Sequence, residues 1–352
     1  MRVVLHEWAC AVGPGPGDDP AGTIAAEGRA MLRALVCDAA RDPTLDVRVL
    51  LAEGRHARPD AVLGAAAGRP RVCRVPAGAE IDVLCAESAR ADWTLIVAPE
   101  TDGLLEDRVR AARAAGGRVA ACGPRFLALA GDKQATATAL AAAGVPVPAG
   151  RPLAAHEPVP EGFHLPAVRK RRDGCGGDDL VVLRDRAAAP PAPRPQRLEA
   201  FVAGLTVGVS CLCGPAGAVG LVPMIQRFSG GERPRYLGGA SAATAPWRVR
   251  AERLTTRAVA AVARGAGDDA AGWVGVDMVL GTADDGVDDR VLEVNPRLTT
   301  SFVGLAALVD GSLLSLLLDV AAGAAGARPR PREVPGRRVV FDAAGGVEVR
   351  DG

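Results

Sequence analysis

Aromatic side chains make up only 3% of the 352 residues, and a single tyrosine is among them. Proteins that hold single-stranded nucleic acid stack its bases on aromatic platforms, so this scarcity argues against that class. Charge of one sign is also lacking: 42 basic and 41 acidic residues leave a formal net charge of +1. No global field pulls the chain toward nucleic acid or an anionic membrane. The eight cysteines form no Cys-x-x-Cys pair. Cys211 and Cys213 share a strand face by alternation, but no second pair of ligands accompanies them. Thiols in a reducing compartment are expected rather than a zinc site. No apolar run reaches the ~20 residues that span a bilayer, since Leu305 to Ala325 is interrupted by Asp310 and Asp319. The start of the chain, Met-Arg-Val-Val-Leu-His-Glu-Trp, lacks a signal peptide's apolar stretch. A soluble, cytoplasmic protein without nucleic-acid or membrane partners is expected, with a homodimer left open.

What is present suggests two or three lobes, at roughly one domain per 150 residues. Apolar runs at Val3–Leu5, Val47–Leu51, Thr94–Ala98 and Arg118–Ala121 read as buried parallel strands, with helical spacing over Thr23–Ala39 and Leu105–Ala115. This βαβ alternation predicts a small doubly wound, Rossmann-like parallel-sheet domain over residues 1–125. The Gly13-Pro14-Gly15-Pro16-Gly17 run reads as a plain loop, because proline removes the donors a phosphate cradle needs. Residues 126–197 open with a helix, Lys133 to Ala143, stopped by Gly144 and Pro146. Strands at Leu165–Lys170 and Leu180–Arg184 then flank the loop Arg171–Asp179, the shape of a lid, before an Ala/Pro linker at 187–195. Residues 198–326 alternate strands (Val207–Leu212, Gly220–Gln226, Gly275–Leu280, Arg290–Val294) with helices at about Val249–Arg264 and Leu313–Ala322. An antiparallel sheet with packed helices is expected there, and an extended tail ending in a short strand over 327–352. The fold class is α/β, with an α+β C-terminal part.

Candidate chemistry starts with the acids. Glu293 and Asn295 are two apart in a strand and share a face. If a neighbouring strand brings Asp277 alongside, two carboxylates and an amide oxygen converge, a hard-oxygen set suited to Mg²⁺. Both acids are embedded in apolar strands, where an unpaired carboxylate is costly; capping a turn is the plainer alternative. Arg297, just after Pro296, could neutralise charge on a transferring phosphoryl group. Gly174, Gly176 and Gly177 follow Lys170 closely, and such a run lets backbone amides approach phosphate oxygens, although it serves equally as a hairpin turn. Only two of the basic residues are lysines, Lys133 and Lys170. Arginine supplies the general surface charge, so both compact ammonium groups standing at phosphate-compatible positions is informative.

In order along the chain, these pieces resemble the ATP-grasp superfamily. The resemblance rests on Asp132-Lys133 opening a helix that ends in Gly144-Val145-Pro146-Val147-Pro148, then Val168-Arg169-Lys170 with Asp173-Gly174-Cys175-Gly176-Gly177. It continues through Glu199-Ala200-Phe201-Val202-Ala203-Gly204, Gly275-Val276-Asp277 and Glu293-Val294-Asn295-Pro296-Arg297. It implies an ATP-grasp fold preceded by an α/β domain, and a ligase joining a carboxylate to an amine with ATP and Mg²⁺ or Mn²⁺. Lys133, Lys170 and the 174–177 loop would hold ATP phosphates, and Glu199 and Val202 the adenine. Asp277, Glu293 and Asn295 would bind metal, and Arg297 and Lys170 would act on the phosphoryl group. Arg171 stands where the family commonly has proline, and Leu205-Thr206 where it often has a ribose-binding acid, with Thr206 as a stand-in. Ala98-Pro99-Glu100-Thr101-Asp102-Gly103, Arg235-Tyr236-Leu237-Gly238-Gly239 and Asn295 to Leu305 resemble, more narrowly, the tyramine–glutamate ligases of methanofuran biosynthesis, a likeness that leaves tyrosine open as the amine in place of tyramine. That likeness implies a small-molecule amine and carboxylate as partners, and substrate contacts from Tyr236, Gly238, Gly239, Thr299 and Thr300.

Overall fold

The computed structural model describes residues 1–13, 23–54, 58–66, 68–177, 180–186, 190–242, 245–323 and 332–351. Most of the Gly-Pro run, residues 14–17, lies outside the described residues, as do residues 178–179 of the expected lid loop, 187–189 of the linker and 327–331 of the tail. In the first unit, β1 (Arg2–Glu7), β2 (Asp46–Ala52), β3 (Arg71–Val75) and β4 (Trp93–Val97) pair in parallel in the order β3-β2-β1-β4. Helices α1 (Trp8–Val12), α2 (Thr23–Ala39), α3 (Pro59–Leu63), α4 (Glu80–Ser88) and α5 (Leu104–Ala114) connect them. The inner strands are buried on both faces, which is why they are continuous apolar runs. Two details differ from expectation. β3 is a half-exposed edge strand carrying two arginines, so it left no apolar run to notice. Arg118–Ala121 makes only the single bridge Thr94–Val119 before the chain turns into α6 (Pro124–Gly131).

Asp132 ends α6 and starts α7 (Lys133–Ala142), its carboxylate accepting from the amides of Gln134 (2.8 Å) and Ala135 (3.0 Å). This N-cap fixes Lys133 in the first turn. The lid follows as β5 (Gly150–Leu153), β6 (Ala167–Arg171), β7 (Val181–Leu183) and β8 (Gln196–Ala200), antiparallel in the order β5-β8-β6-β7. Its apolar core is separate and small, including Leu153, Ala167, Leu183 and Leu198.

The third unit contains β9 (Leu205–Gly214), β10 (Gly217–Gly220), β11 (Met224–Phe228), β12 (Tyr236–Ser241), α8 (Arg248–Ala266), β13 (Gly272–Leu280) and β14 (Arg290–Asn295). It continues with α9 (Phe302–Leu308), β15 (Val309–Asp310), α10 (Leu313–Ala322), β16 (Arg332–Glu333), β17 (Arg338–Asp342) and β18 (Val347–Arg350). Eight strands form one antiparallel sheet in the order β14-β13-β9-β11-β12-β17-β18, with β10 beside β9. Unlike the lid, this unit shares its core with the first: Leu5 and Leu35 belong to the same apolar cluster as Leu305 and Leu317. The buried Asp38 of α2 reinforces the junction, accepting from the amides of Leu313 (3.1 Å) and Leu314 (2.8 Å) at the start of α10. Among the described residues no helix is long and apolar enough to cross a membrane.

The last segment corrects two expectations. Residues 338–342 do form a strand, but β17 pairs with β12 inside the large sheet rather than ending an extended tail. The pairing requires small residues opposite. A Cβ on Gly238, at φ +119°, would stand 2.1 Å from the Phe341 carbonyl oxygen, and one on Gly239 would stand 2.9 Å from the Phe341 ring. Gly238 and Gly239 therefore admit a strand and an aromatic ring, not a substrate. Gly304 of α9 closes the same cradle, with 2.6 Å to the ring. Phe341 is 1% exposed, and Phe341→Ala is expected to cost about 3–5 kcal/mol of unfolding free energy, the usual range for emptying such a site. Urea denaturation measures this, and a loss below about 1 kcal/mol would place the segment outside the core.

Candidate active site

The chemistry-bearing side chains meet where the lid faces the large sheet. Asp277 on β13 is the register partner of Glu293 on β14, and Gly275 that of Asn295. The amide of Asn295 donates to Asp277 Oδ2 at 3.0 Å. A second amide, Gln226 on β11, donates to Asp277 Oδ1 at 2.7 Å. Burial among apolar strands, with the adjacent Glu293 charge, pushes the Asp277 carboxyl well above the usual carboxylate range. Burial acts on Glu293 in the same direction. The ammonium groups of Lys133 and Lys170 outweigh it and hold Glu293 below its ordinary value.

Each cation arrives from a different element. Lys133 Nζ lies 3.0 Å from Glu293 Oε2 and also donates to the Gly174 carbonyl in the lid loop. Although burial opposes its charge, the carboxylates of Glu293 and Glu100 raise its pKa. Lys170 Nζ, on the cleft face of β6, contacts Glu199 Oε1 at 2.7 Å and the Leu292 carbonyl at 3.1 Å. The other Glu199 oxygen takes Arg197 Nε at 2.8 Å. Arg297 is paired with Glu100 Oε1 of the first unit at 2.9 Å. Asp173 ties the lid loop to that unit as well, accepting from the Asp102 amide at 3.1 Å.

Gly176 and Gly177 follow one another at φ +62° and +80°, a left-handed backbone that favours glycine. Both line a cavity of about 110 Å³ together with Asp277, Glu293, Asn295, Arg297, Tyr236, Thr299 and Thr300. Gly174 stays beside Lys133. Val202 lies apart, in a wider cleft of about 890 Å³ along α7 and the β8–β9 connection. Thr206 donates to the Gln226 backbone at 3.0 Å and so is turned toward its own sheet. Glu27, Glu100, Arg197 and Gln226 were not anticipated as part of this constellation. Gln226 did leave a signal, an amide closing the apolar run from Leu221. Glu100 stood in the Ala98–Gly103 motif but with no role given to it, and Glu27 left no signal, because both lie in other elements and meet the site only through packing.

Residues 130–301 match the family model of the ATP-grasp domain, and residues 57–125 match that of the pre ATP-grasp 3 domain. Residues 130–301 are an ATP-grasp domain. Among solved structures it resembles an ATP-grasp superfamily protein from Archaeoglobus fulgidus, at 20% identity and a TM-score of 0.70, over 100% of this chain and 99% of that one. It also resembles an L-amino acid ligase from Bacillus licheniformis (16% identity, TM-score 0.66, 96% and 78% of the two chains). A third neighbour is a biotin carboxylase from Campylobacter jejuni (14%, 0.69, 96% and 74%). At these identities the likeness is one of fold. No curated protein matches the chain.

The ion pairs around Glu199 make a direct prediction about stability. Glu199→Leu leaves two buried cations without their shared anion and is expected to cost about 3–5 kcal/mol. Lys170→Met leaves Glu199 paired with Arg197 and costs less. Denaturant titration of the two variants gives the order, and the reverse order would show that Lys170, not Glu199, anchors the cluster.

Proposed function

We propose that this ATP-grasp protein is an ATP-dependent ligase that joins a carboxylate to an amine through an acyl phosphate. The observation that carries the reading is the single cavity in which Asp277, Glu293 and Asn295 face the lid glycines, with Lys133 beside them. Adjacent buried carboxylates repel one another, and an oxygen-only set of two carboxylates and an amide fits Mg²⁺, or Mn²⁺, better than a soft metal. When bound, that ion neutralises phosphate charge as the phosphoryl group moves. Lys133 and Lys170 hold the phosphates of ATP, and the Gly176–Gly177 amides cover them from the lid with Gly174 at its edge. Glu199 is engaged by Lys170 and Arg197, so it orients Lys170 toward the phosphates, and the hinge backbone around Val202 receives the base.

The carboxylate oxygen of the substrate attacks the γ-phosphorus and ADP leaves. The amine nitrogen then attacks the carbonyl carbon, phosphate departs and the amine gives up a proton. Arg297, oriented by Glu100, sits where charge accumulates on the transferring group. Closure of the separately cored lid excludes water from the acyl phosphate. The L-amino acid ligase neighbour is one example of this fold whose name declares a ligase of amino acids. For the finer assignment, Tyr236, Thr299 and Thr300 in the cavity wall agree with the resemblance to tyramine–glutamate ligases. The γ-carboxylate of glutamate and tyramine or tyrosine are the proposed substrates.

Incubation with ATP, Mg²⁺, L-glutamate and tyramine or tyrosine is expected to release ADP and give a γ-glutamyl amide by mass spectrometry. Glu293→Ala is expected to lower that turnover by roughly 100-fold or more, the scale of losing one preorganised charge-stabilising group. Turnover close to wild type would remove the metal assignment.

A further inference from the structure

The geometry points to Ser210 as a further catalytic residue, whose hydroxyl donates to the acyl oxygen while the amine attacks. The inference rests on the ligase reading above and adds to it a group that holds the reacting carbonyl. Ser210 of β9, Gly275 of β13 and Asn295 of β14 stand in one row across three strands. Gly208, Asp277 and Glu293 form the next row, about 7 Å away at two residues along each strand. Directly opposed residues share a sheet face, so Ser210 stands on the side of the carboxylate pair. It lines the same cavity, together with Thr299 and Ser301.

Gly275 leaves the middle of the Ser210 row open. A Cβ there would stand 2.7 Å from Thr299 Cγ2, and three hydroxyls gather beside it. Thr299 Oγ1 lies 2.7 Å from Ser301 Oγ, Ser301 Oγ 3.1 Å from Ser210 Oγ, and Ser210 Oγ 3.4 Å from Thr299 Oγ1. The buried indole of Trp273, which can only donate, gives its N–H to Thr299 at 3.2 Å. Hydroxyl pairs bond best at about 2.7–2.8 Å, so Ser210 is the member held least. Each hydroxyl brings one proton, and the 3.4 Å leg gives its proton little. The proton of Ser210, 3% exposed, is therefore the one free to turn to a ligand oxygen, and donation from Trp273 through Thr299 and Ser301 strengthens it as a donor. Attack of the amine on the acyl phosphate moves the carbonyl electron pair onto the acyl oxygen, and the pair returns as phosphate leaves. Ser210 donates a hydrogen bond to that oxygen and transfers no proton.

The test measures turnover with ATP, Mg²⁺, hydroxylamine as the amine and a panel of L-amino acids and simple carboxylic acids, read as hydroxamate and ADP. Ser210→Ala is expected to lower kcat by about 10- to 100-fold, at the low end for one oxyanion donor because the hydroxyl has to turn. KM for the acid and the calorimetric affinity for Mg·ATP should change little, since the group acts only as charge develops. Ser210→Thr keeps the hydroxyl and should recover most of the rate, whereas a purely packing role would be disturbed further by the added methyl. A kcat close to wild type in Ser210→Ala, or a loss confined to KM, overturns the inference and leaves the ligase reading standing. Calorimetric binding of Mg·ATP by wild type with no hydroxamate from any acid overturns the ligase reading, and this inference with it.

Discussion

Two carboxylates facing each other across adjacent strands are the constraint on which the rest of the molecule depends. Asp277 and Glu293 are register partners in a pair of apolar strands, where neither could carry its charge without compensation. Compensation comes from outside the strands: Lys133 from the start of α7, Lys170 from the lid, and amides from Gln226 and Asn295. The large sheet, the lid and the connecting helix all meet at this point because the charges there must be balanced jointly.

The core explains which parts stay fixed while this site works. The parallel sheet of the first unit and the helices α9 and α10 share one apolar cluster, and from this unit Glu27 reaches the cavity and Glu100 reaches Arg297. The lid has its own small core. Polar links through Asp173, Lys133 and Lys170 tie it to the rest. The same division makes Arg297 a bridge, since it follows β14 but pairs with the first unit.

Much of the fold was legible because its elements have strong local causes. Asp132 caps α7, and Gly144 at φ +69° follows the helix end. The apolar runs of β1, β13 and β14 admit no other reading as buried strands. β3 was missed, and the last segment was expected to hold a short strand without its place in the large sheet. β3 is an edge strand whose arginines hide its alternation. β17 stands beyond a segment rich in arginine and proline; it pairs with β18 on one side and joins the large sheet because β12 offers an edge with Gly238 and Gly239 opposite. Those two glycines carried a signal of close approach, but nothing local states whether the visitor is a substrate or a strand.

The sequence by itself determined the order of the phosphate- and metal-type residues, since side chains two apart on a strand or directly after a helix cap have directions set by backbone geometry. Reduction to two lysines marked their positions without any fold. Only the tertiary structure decided how these groups are partnered. Pairing of Glu199 with both Lys170 and Arg197, of Arg297 with Glu100, and of Thr300 with Glu27 joins residues far apart in the chain. Such contacts arise from packing of separate elements, and no local pattern records them.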